Sequence, residues 1–303
     1  MRNRRHAIRR HDFFDLLDSR GSRDLVVIGV PWDETSSYRR GATAGPDAIR
    51  SATSGRLYNQ FTEQGLDLSA YWKVCDHGNV RATSVPGLKR LIASKLRLHD
   101  HQKPSILFLG GDHFITYPAF TTTAETKECS LSLLYFDAHP DLYPEYDGNR
   151  FSHATVVSRI LEDRGHSSGS VCYVGIRAST KEQDVRIKDL GLSAYTARDI
   201  EVRGCETIAS RIVSDIGSGP VYLSVDLDCL DPAFAPGVGN PQPGGLSTRQ
   251  TIEILRGLQG LNVVAADIVE YSPGCESDSK STGFTSAILI KELMGLMAHS
   301  SNA

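Results

Sequence analysis

Continuously apolar segments of strand length alternate along this chain with amphipathic segments of helix length. Because the strand-length segments do not alternate between apolar and polar residues, both faces of the sheet they form must be covered. Strands that alternate with helices in this way form a mostly parallel sheet with helices on both sides, an α/β fold. The predicted strands are 25–30, 105–109, 132–136, 171–176, 221–225 and 263–269. The predicted helices are 86–99, 117–127, 154–164, 180–190, 204–216, 247–258 and 284–299.

Nothing in the sequence divides the chain into separate parts. No Pro/Gly/Ser-rich or strongly charged linker interrupts the 303 residues, so we expect a single domain over 1–303. The Arg-rich segment 1–20 is expected to be a solvated arm or an oligomer contact, because a transit peptide is usually longer and richer in Ser.

Charge and cysteine usage narrow the class of protein. The net charge of −3 gives no reason to expect a nucleic acid or an acidic membrane surface as a partner. The six cysteines form no C-x-x-C pair, which predicts reduced thiols and a cytoplasmic location. No apolar stretch reaches the roughly 18 residues that a transmembrane helix needs.

Residues with metal-ligand side chains follow three of the predicted strands. Their motifs are Gly-Gly-Asp-His at 110–113, Asp-Ala-His-Pro-Asp at 137–141 and Ser-Val-Asp-Leu-Asp at 224–228. Ligands of open parallel sheets bind outside the carboxyl ends of the strands, and residues two apart in extended chain project to the same face. We therefore expect one shared metal site. Its candidate ligands are His113, Asp137, His139, Asp141, Asp226 and Asp228.

The donor set indicates which metal this site would hold. Carboxylates and imidazoles without a thiolate favour Mn²⁺ or a similar ion over structural zinc, and Ni²⁺ or Co²⁺ stays open. Four carboxylates balance the charge of two divalent ions, which predicts two ions per chain. Two ions roughly 3.5–4 Å apart lower the pKa of a shared water molecule, so the chain is expected to be a hydrolase. The neighbouring Asp112 and Asp231 are interpreted as turn or supporting groups.

The three motifs resemble the signatures of the ureohydrolases, which include arginase, agmatinase and related amidinohydrolases. Further similarity at 28–33, 41–50, 235–237, 243–246 and 267–270 extends the resemblance over nearly the whole chain. The resemblance implies a three-layer α/β/α fold with about eight parallel strands, two Mn²⁺ ions per chain and a homotrimer or homohexamer. It assigns one ion to His113, Asp137, Asp141 and Asp226, and the other to Asp137, His139, Asp226 and Asp228.

The resemblance also implies a reaction, the hydrolysis of a guanidino compound to urea and an amine. His153 would shuttle a proton to the leaving amine, a role that suits a group titrating near neutral pH. Glu270 would pair with the guanidinium of the substrate, whose N–H groups match a planar carboxylate.

The segment from Leu142 to Ser152 is expected to distinguish between substrates. It lacks the Asn- and Ser-rich sequence with which arginases hold an α-carboxylate and an α-amine, and its acids and aromatics resemble agmatinases. Glu145 or Asp147 would meet a terminal ammonium, and Tyr143 or Tyr146 would line an aliphatic chain. That these are plain surface residues is an equal alternative.

The substrate itself stays open at this point. Asn240 stands where many ureohydrolases carry Thr in the guanidinium pocket, and an amide has both donor and acceptor faces. Agmatine, giving putrescine and urea, is the favoured substrate. Guanidinobutyrate, guanidinopropionate, guanidine, arginine and formiminoglutamate are the alternatives. An inactive metal-binding homologue with an interaction role is the alternative of another class, and the complete ligand set with His153 and Glu270 argues against it.

Overall fold

The computed structural model describes residues 13–17, 21–163 and 171–300, so most of the predicted N-terminal arm, 1–20, lies outside the described residues. Within this part of the chain, eight strands form one sheet in which every neighbouring pair is parallel. The strands are β1 (Arg23–Val30), β2 (Trp72–Asn79), β3 (Ser105–Gly110), β4 (Ser132–Phe136), β5 (Val171–Ile176), β6 (Ser193–Thr196), β7 (Pro220–Asp226) and β8 (Asn262–Val269). The order across the sheet is β2-β1-β3-β8-β7-β4-β5-β6.

Helices cover both faces of this sheet, which confirms the three-layer α/β/α prediction. They are α1 (Gly45–Ala52), α2 (Val85–Leu96), α3 (Thr116–Lys127), α4 (Val156–Glu162), α5 (Lys181–Asp189), α6 (Ala197–Arg203), α7 (Cys205–Ile216), α8 (Thr248–Gly257) and α9 (Ser281–Ser300). Successive residues of β1 enter opposite cores: Leu25 packs with α1 and α6 to α9, and Val26 packs with α2 to α5. Burial on both faces explains why the strands read as continuous apolar runs.

Two strands and one helix escaped the sequence prediction. Both missed strands, β2 and β6, lie at the edges of the sheet, and β2 carries Lys73, Asp76 and His77. An edge strand is only partly covered, so it does not need a continuous apolar run. The missed helix, α6, has seven residues, too few for a clear helical periodicity, whereas α1 begins at Gly45, where the family resemblance at 41–50 implies a helix start. No helix of the described residues is long and apolar enough to cross a membrane.

The strand order explains why the ligand motifs meet. The four central strands, β3, β8, β7 and β4, are consecutive neighbours. Their carboxyl ends lie at one edge of the sheet and continue directly into the segments of His113, Glu270, Asp228 and Asp137. Four segments distant in sequence therefore begin side by side.

Candidate metal centre and its cleft

Backbone N–H groups orient three buried carboxylates in the same way. The N–H of His139 donates to Oδ1 of Asp137 (2.6 Å), and that of Asp228 donates to Oδ1 of Asp226 (2.7 Å). The N–H of Ala138 donates to Oδ1 of Asp228 (3.1 Å). Each carboxylate thus has one oxygen bound to the backbone, and its Oδ2 remains available to the site.

The Oδ2 atoms of Asp137 and Asp226, together with that of Asp141, converge on His113. Its Nδ1 lies 2.9 Å from Oδ2 of Asp137, 2.9 Å from Oδ2 of Asp226 and 3.4 Å from Oδ2 of Asp141. One ring nitrogen can donate at most one proton, and Oδ2 of Asp137 is buried without a hydrogen-bond partner among the described residues. Three carboxylate oxygens therefore surround one imidazole nitrogen, and one of these oxygens has no hydrogen-bond partner. This arrangement suits a divalent cation.

A second group of ligand atoms adjoins the first. Nδ1 of His139 lies 3.1 Å from Oδ2 of Asp228 and 3.4 Å from Oδ1 of Asp137. The ligand atoms of His113, Asp137 and Asp226 lie within 4.8 Å of one another, and so do those of Asp137, His139 and Asp228. The structure therefore brings the predicted ligands together, with Asp137 common to both groups.

The buried carboxylates of this cluster need positive charge next to them in order to stay ionised. Burial and then the neighbouring carboxylates raise the pKa of Asp226 well above its usual value, and the pKa of Asp228 is raised for the same reasons. Burial also disfavours the protonated form of His139. The carboxylates of Asp228 and Asp137 outweigh this effect and raise the pKa of the imidazole to about 12. The carboxylates can stay ionised only next to cations, and protonated imidazoles or divalent ions can supply that charge.

A buried hydrogen-bond chain supports His113 from behind. Its Nε2 lies 2.9 Å from Oγ of Ser224, whose hydroxyl donates to Oδ1 of Asp267 (2.7 Å). Oδ2 of Asp267 accepts from the hydroxyls of Tyr222 (2.7 Å) and Thr116 (2.8 Å). With Ser224 donating to Asp267, its oxygen accepts from Nε2–H, which leaves the lone pair of Nδ1 facing the carboxylates. No role was predicted for Ser224 or Asp267, although the position of an acid inside an apolar strand was a signal.

Tyr135, which also escaped the sequence analysis, borders the cluster from within β4. Its ring stacks on that of His113 at a centroid distance of 4.4 Å, and its hydroxyl donates to Oδ2 of Asp141 (2.7 Å). Asp141 has a φ of 46°, which is uncommon for a residue other than glycine. The local structure therefore holds this carboxylate in a strained backbone conformation.

Glu270 occupies the position predicted for it, directly after β8. Its Oε1 accepts from the N–H of His113 (2.7 Å), and its own N–H donates to the carbonyl of Gly111 (2.8 Å). It too has a positive φ, 66°, and its side chain is buried yet lines the cleft. Burial, with the charges of Asp226 and Asp112, raises its pKa well above the usual value.

His153 also lines the cleft. Its N–H donates to Oγ1 of Thr35 (2.9 Å), and Thr35 donates through its own N–H and hydroxyl to Oδ2 of Asp112 (3.0 and 2.9 Å). Asp112 therefore supports a loop next to the site. Nε2 of His153 is buried without a hydrogen-bond partner among the described residues. Burial lowers the pKa of the ring to about 4, which differs from the near-neutral titration expected from the sequence and leaves the ring uncharged at neutral pH.

The cleft has a volume of about 130 Å³. Its ionisable lining consists of carboxylates, imidazoles and tyrosines, and none of its described lining residues is Lys or Arg. Tyr143 and Tyr146 line it as predicted, and so does Asn240. Ser37 and Gln183 also line it and carried no motif that would have identified them. Such a lining favours a cation.

The structure does not place Glu145 or Asp147 among the residues that line the cleft, which favours the alternative that both are surface residues, and their contact with the substrate stays a prediction. Both side chains are exposed. The backbones of Tyr146 and Asn149 bond to each other at 3.0 and 2.9 Å, and the two residues between them have φ values of 49° and 73°. This tight turn carries the acids outwards.

Arg177 holds the loop of Asn240 against the metal centre. Its guanidinium donates to the carbonyls of Asp228 (2.7 Å) and Gln242 (3.1 Å), so it joins two loops of the cleft. Nδ2 of Asn240 lies 3.5 Å from Nε2 of His139. Such a clamp is built from backbone carbonyls, which explains why no sequence motif revealed it.

Comparison with known proteins agrees with this geometry. The model of the Arginase family matches residues 23–295. "Arginase 1, mitochondrial" of Oryza sativa subsp. indica is 36% identical over 275 residues, which cover 88% of this chain and 79% of that protein. "Agmatinase" of Enterobacter sp. (strain 638) is 35% identical over 285 residues, covering 91% of this chain and 88% of that protein. The crystal structure of a hypothetical agmatinase from Burkholderia thailandensis has a TM-score of 0.83 and 32% identity, covering 93% of this chain and 88% of that one.

Proposed function

This chain belongs to the arginase family, and we propose that it hydrolyses the guanidinium group of a small cationic compound to urea and an amine. The proposed substrate is agmatine, whose products are urea and putrescine. One observation carries this proposal: five carboxylates line the cleft, two divalent ions would balance only four of them, and no described lining residue is Lys or Arg. A guanidinium with a second cationic group is attracted to such a cleft, whereas a free carboxylate is not.

The metal centre is proposed to hold two Mn²⁺ ions. The orphaned Oδ2 of Asp137, and the convergence of acceptors on His113, support a cation there. When bound, two such ions supply Lewis acidity and water of lowered pKa. The proposed ligands of one ion are His113, Asp137, Asp141 and Asp226, and those of the other are Asp137, His139, Asp226 and Asp228.

Two further side chains are proposed to act on the substrate. Glu270 uses Oε1 to bind the N–H of His113, which leaves Oε2 to accept from the guanidinium. In the reaction, water oxygen bonds to the guanidinium carbon, the C–N bond to the leaving amine breaks, and the two protons of that water pass to the leaving nitrogen, which departs as an ammonium group, one of them by way of a proton carrier. Nε2 of His153 is a buried, unpartnered atom in the cleft wall and is proposed to carry this proton.

Arginine is the second candidate substrate. The rice arginase is as similar to this chain as the Enterobacter agmatinase is. Neutral hydrogen-bonding groups in the lining, Ser37, Gln183 and Asn240, are also able to bind a carboxylate. Attraction between opposite charges nevertheless favours agmatine.

Urea release from the Mn²⁺-loaded protein tests the proposal. We expect a higher kcat/KM for agmatine than for arginine, guanidinobutyrate, guanidinopropionate and guanidine. A preference for guanidinobutyrate would refute the agmatine assignment and leave the hydrolase standing. Turnover of none of these compounds with Mn²⁺ or Ni²⁺ would refute the hydrolase itself and favour a metal-binding homologue.

Cellular location and assembly are proposed as well. A cytosolic location is supported by the six cysteines, all of which are free. A homotrimer or homohexamer is proposed by analogy with related proteins. Light scattering at micromolar concentration tests the assembly, and a 33.1 kDa particle would contradict it.

A further inference from the structure

A second cluster of metal-ligand side chains lies at the edge of the sheet. Asp24 is the second residue of β1, and Cys75 and His77 belong to the edge strand β2. His99 lies in the short 3₁₀ helix, Arg97–Gln102, that follows α2. Asp24 begins its strand, whereas the candidate metal centre lies beyond the carboxyl ends of the strands.

The strand register places these side chains on one face. Cys75 pairs with Val26, and Val26 packs in the core on the side of α2. Asp24 and His77 lie two residues from Val26 and Cys75, and alternate residues of a strand point to the same side. All of them therefore face the end of α2, from which His99 approaches.

The polar atoms of these side chains lie close enough together to coordinate a single ion. Nδ1 of His99 lies 3.0 Å from Oδ2 of Asp24, and the two side chains are 13% and 9% exposed. The ligand atoms of Asp24, Cys75 and His99 lie within 4.8 Å of one another. The other ring nitrogen of His99, Nε2, lies 2.9 Å from Nε2 of His77.

We propose that Asp24, Cys75 and His99 form a second, separate metal site for Zn²⁺ or another divalent ion that accepts a thiolate. Carboxylate oxygen, thiolate sulfur and imidazole nitrogen are the donors that zinc takes in proteins, and three of them leave a fourth position open. His77 would support the site: with a metal ion on Nδ1 of His99, the Nε2–H of that ring would donate to Nε2 of His77, 2.9 Å away.

The two sites differ in the metals that they favour. The candidate metal centre offers only oxygen and nitrogen, whereas the second site adds the sulfur of Cys75. Metals bind the thiolate form of cysteine, so metal binding at Cys75 releases the proton of its thiol. A bound ion would join the edge strand β2, which has a single neighbouring strand, to the segment that follows α2.

Cobalt spectroscopy tests this site without relying on activity. The protein is first loaded with Mn²⁺ and then titrated with Co²⁺. We expect a thiolate-to-cobalt charge-transfer band that saturates at one Co²⁺ per chain and disappears when Zn²⁺ is added. Cobalt that displaces Mn²⁺ produces no such band, because the ligand groups of the candidate metal centre contain no cysteine.

Variants assign the band to its ligands. Cys75→Ser should abolish it and leave urea release unchanged, and His99→Asn should remove or strongly weaken it. The matched control is Cys129→Ser, since Cys129 is also a half-buried thiol whose pKa burial raises, and it belongs to no ligand group of the described residues. His77→Ala should weaken cobalt binding about 10–100-fold, as losses of supporting partners do.

Thiol alkylation provides an independent test of metal binding at Cys75. Zn²⁺ should slow the modification of Cys75 by iodoacetamide, mapped by mass spectrometry, and leave the rate at Cys129 unchanged. The proposal is overturned if the unmodified protein shows no charge-transfer band, if the band survives Cys75→Ser, or if Zn²⁺ leaves the alkylation of Cys75 unaltered. None of these outcomes bears on the hydrolase proposal, which depends on different residues.

Discussion

The metal floor and the rim of the cleft are built on different principles. The metal floor consists of His113, Asp137, His139, Asp141, Asp226 and Asp228, five of them buried, and backbone N–H groups or a stacked tyrosine orient them. The rim, residues 143–149, is half-buried or exposed and ends in a tight turn. The floor therefore determines whether chemistry occurs, and the rim is free to vary with the substrate.

The largest effect is expected for Asp137→Asn. This carboxylate belongs to both ligand groups, so its loss should weaken both ions, whereas His113→Asn should remove mainly one. If several kcal/mol of metal activation are lost, urea release should fall by about 1,000-fold or more, at roughly 1.36 kcal/mol per decade. Metal analysis and urea release measure this, with the exposed Asp184→Asn as control. Equal metal contents in the Asp137 and His113 variants would contradict the shared role.

His153→Asn should have the next largest effect, because it removes proton transfer and leaves the metal floor intact. We expect kcat to fall by about 10²–10⁴-fold with metal content unchanged. The control is His299→Asn, an exposed histidine of α9. A parallel loss of metal would show that His153 acts on the floor instead of on the leaving amine.

A smaller effect is expected for the hydrogen-bond chain that supports His113. Ser224→Ala interrupts the chain from His113 to Asp267, so the imidazole loses the partner that fixes its tautomer. Metal affinity should fall by about 10–100-fold, and excess Mn²⁺ should restore most of the rate. Ser286→Ala, another buried serine, is the matched control. An unchanged Mn²⁺ affinity would exclude the proposed role of this chain.

The smallest effect is expected on the rim. Glu145→Gln combined with Asp147→Asn neutralises two exposed acids outside the cleft, so kcat/KM for agmatine should change by less than about threefold, as exposed charges contribute little. Replacing Tyr146 by Ala should do more, since Tyr146 lines the cleft and contacts the ring of His153. A tenfold loss in the double variant would place the acids near the substrate after all.

The difference between the buried metal floor and the exposed rim also explains which features could be predicted from the sequence. Apolar runs marked the strands that are buried on both faces, and residues such as Asp137 and His139 follow them directly, so their meeting point was predictable from the parallel topology. The edge strands β2 and β6 had no such run. The direction of Glu145 and Asp147 depends on a turn with two positive φ values, and Arg177 binds carbonyl oxygens that every residue possesses. Neither feature follows from a periodic pattern.

Metal stoichiometry is the most direct test of the metal floor. The intact protein is loaded with increasing Mn²⁺, and bound metal and urea release from agmatine are measured on the same samples. Because Asp137 is shared by two adjoining ligand groups, we predict close to two ions per chain, with full activity only when both are bound. Full activity at a reproducible stoichiometry of one ion per chain would contradict the account.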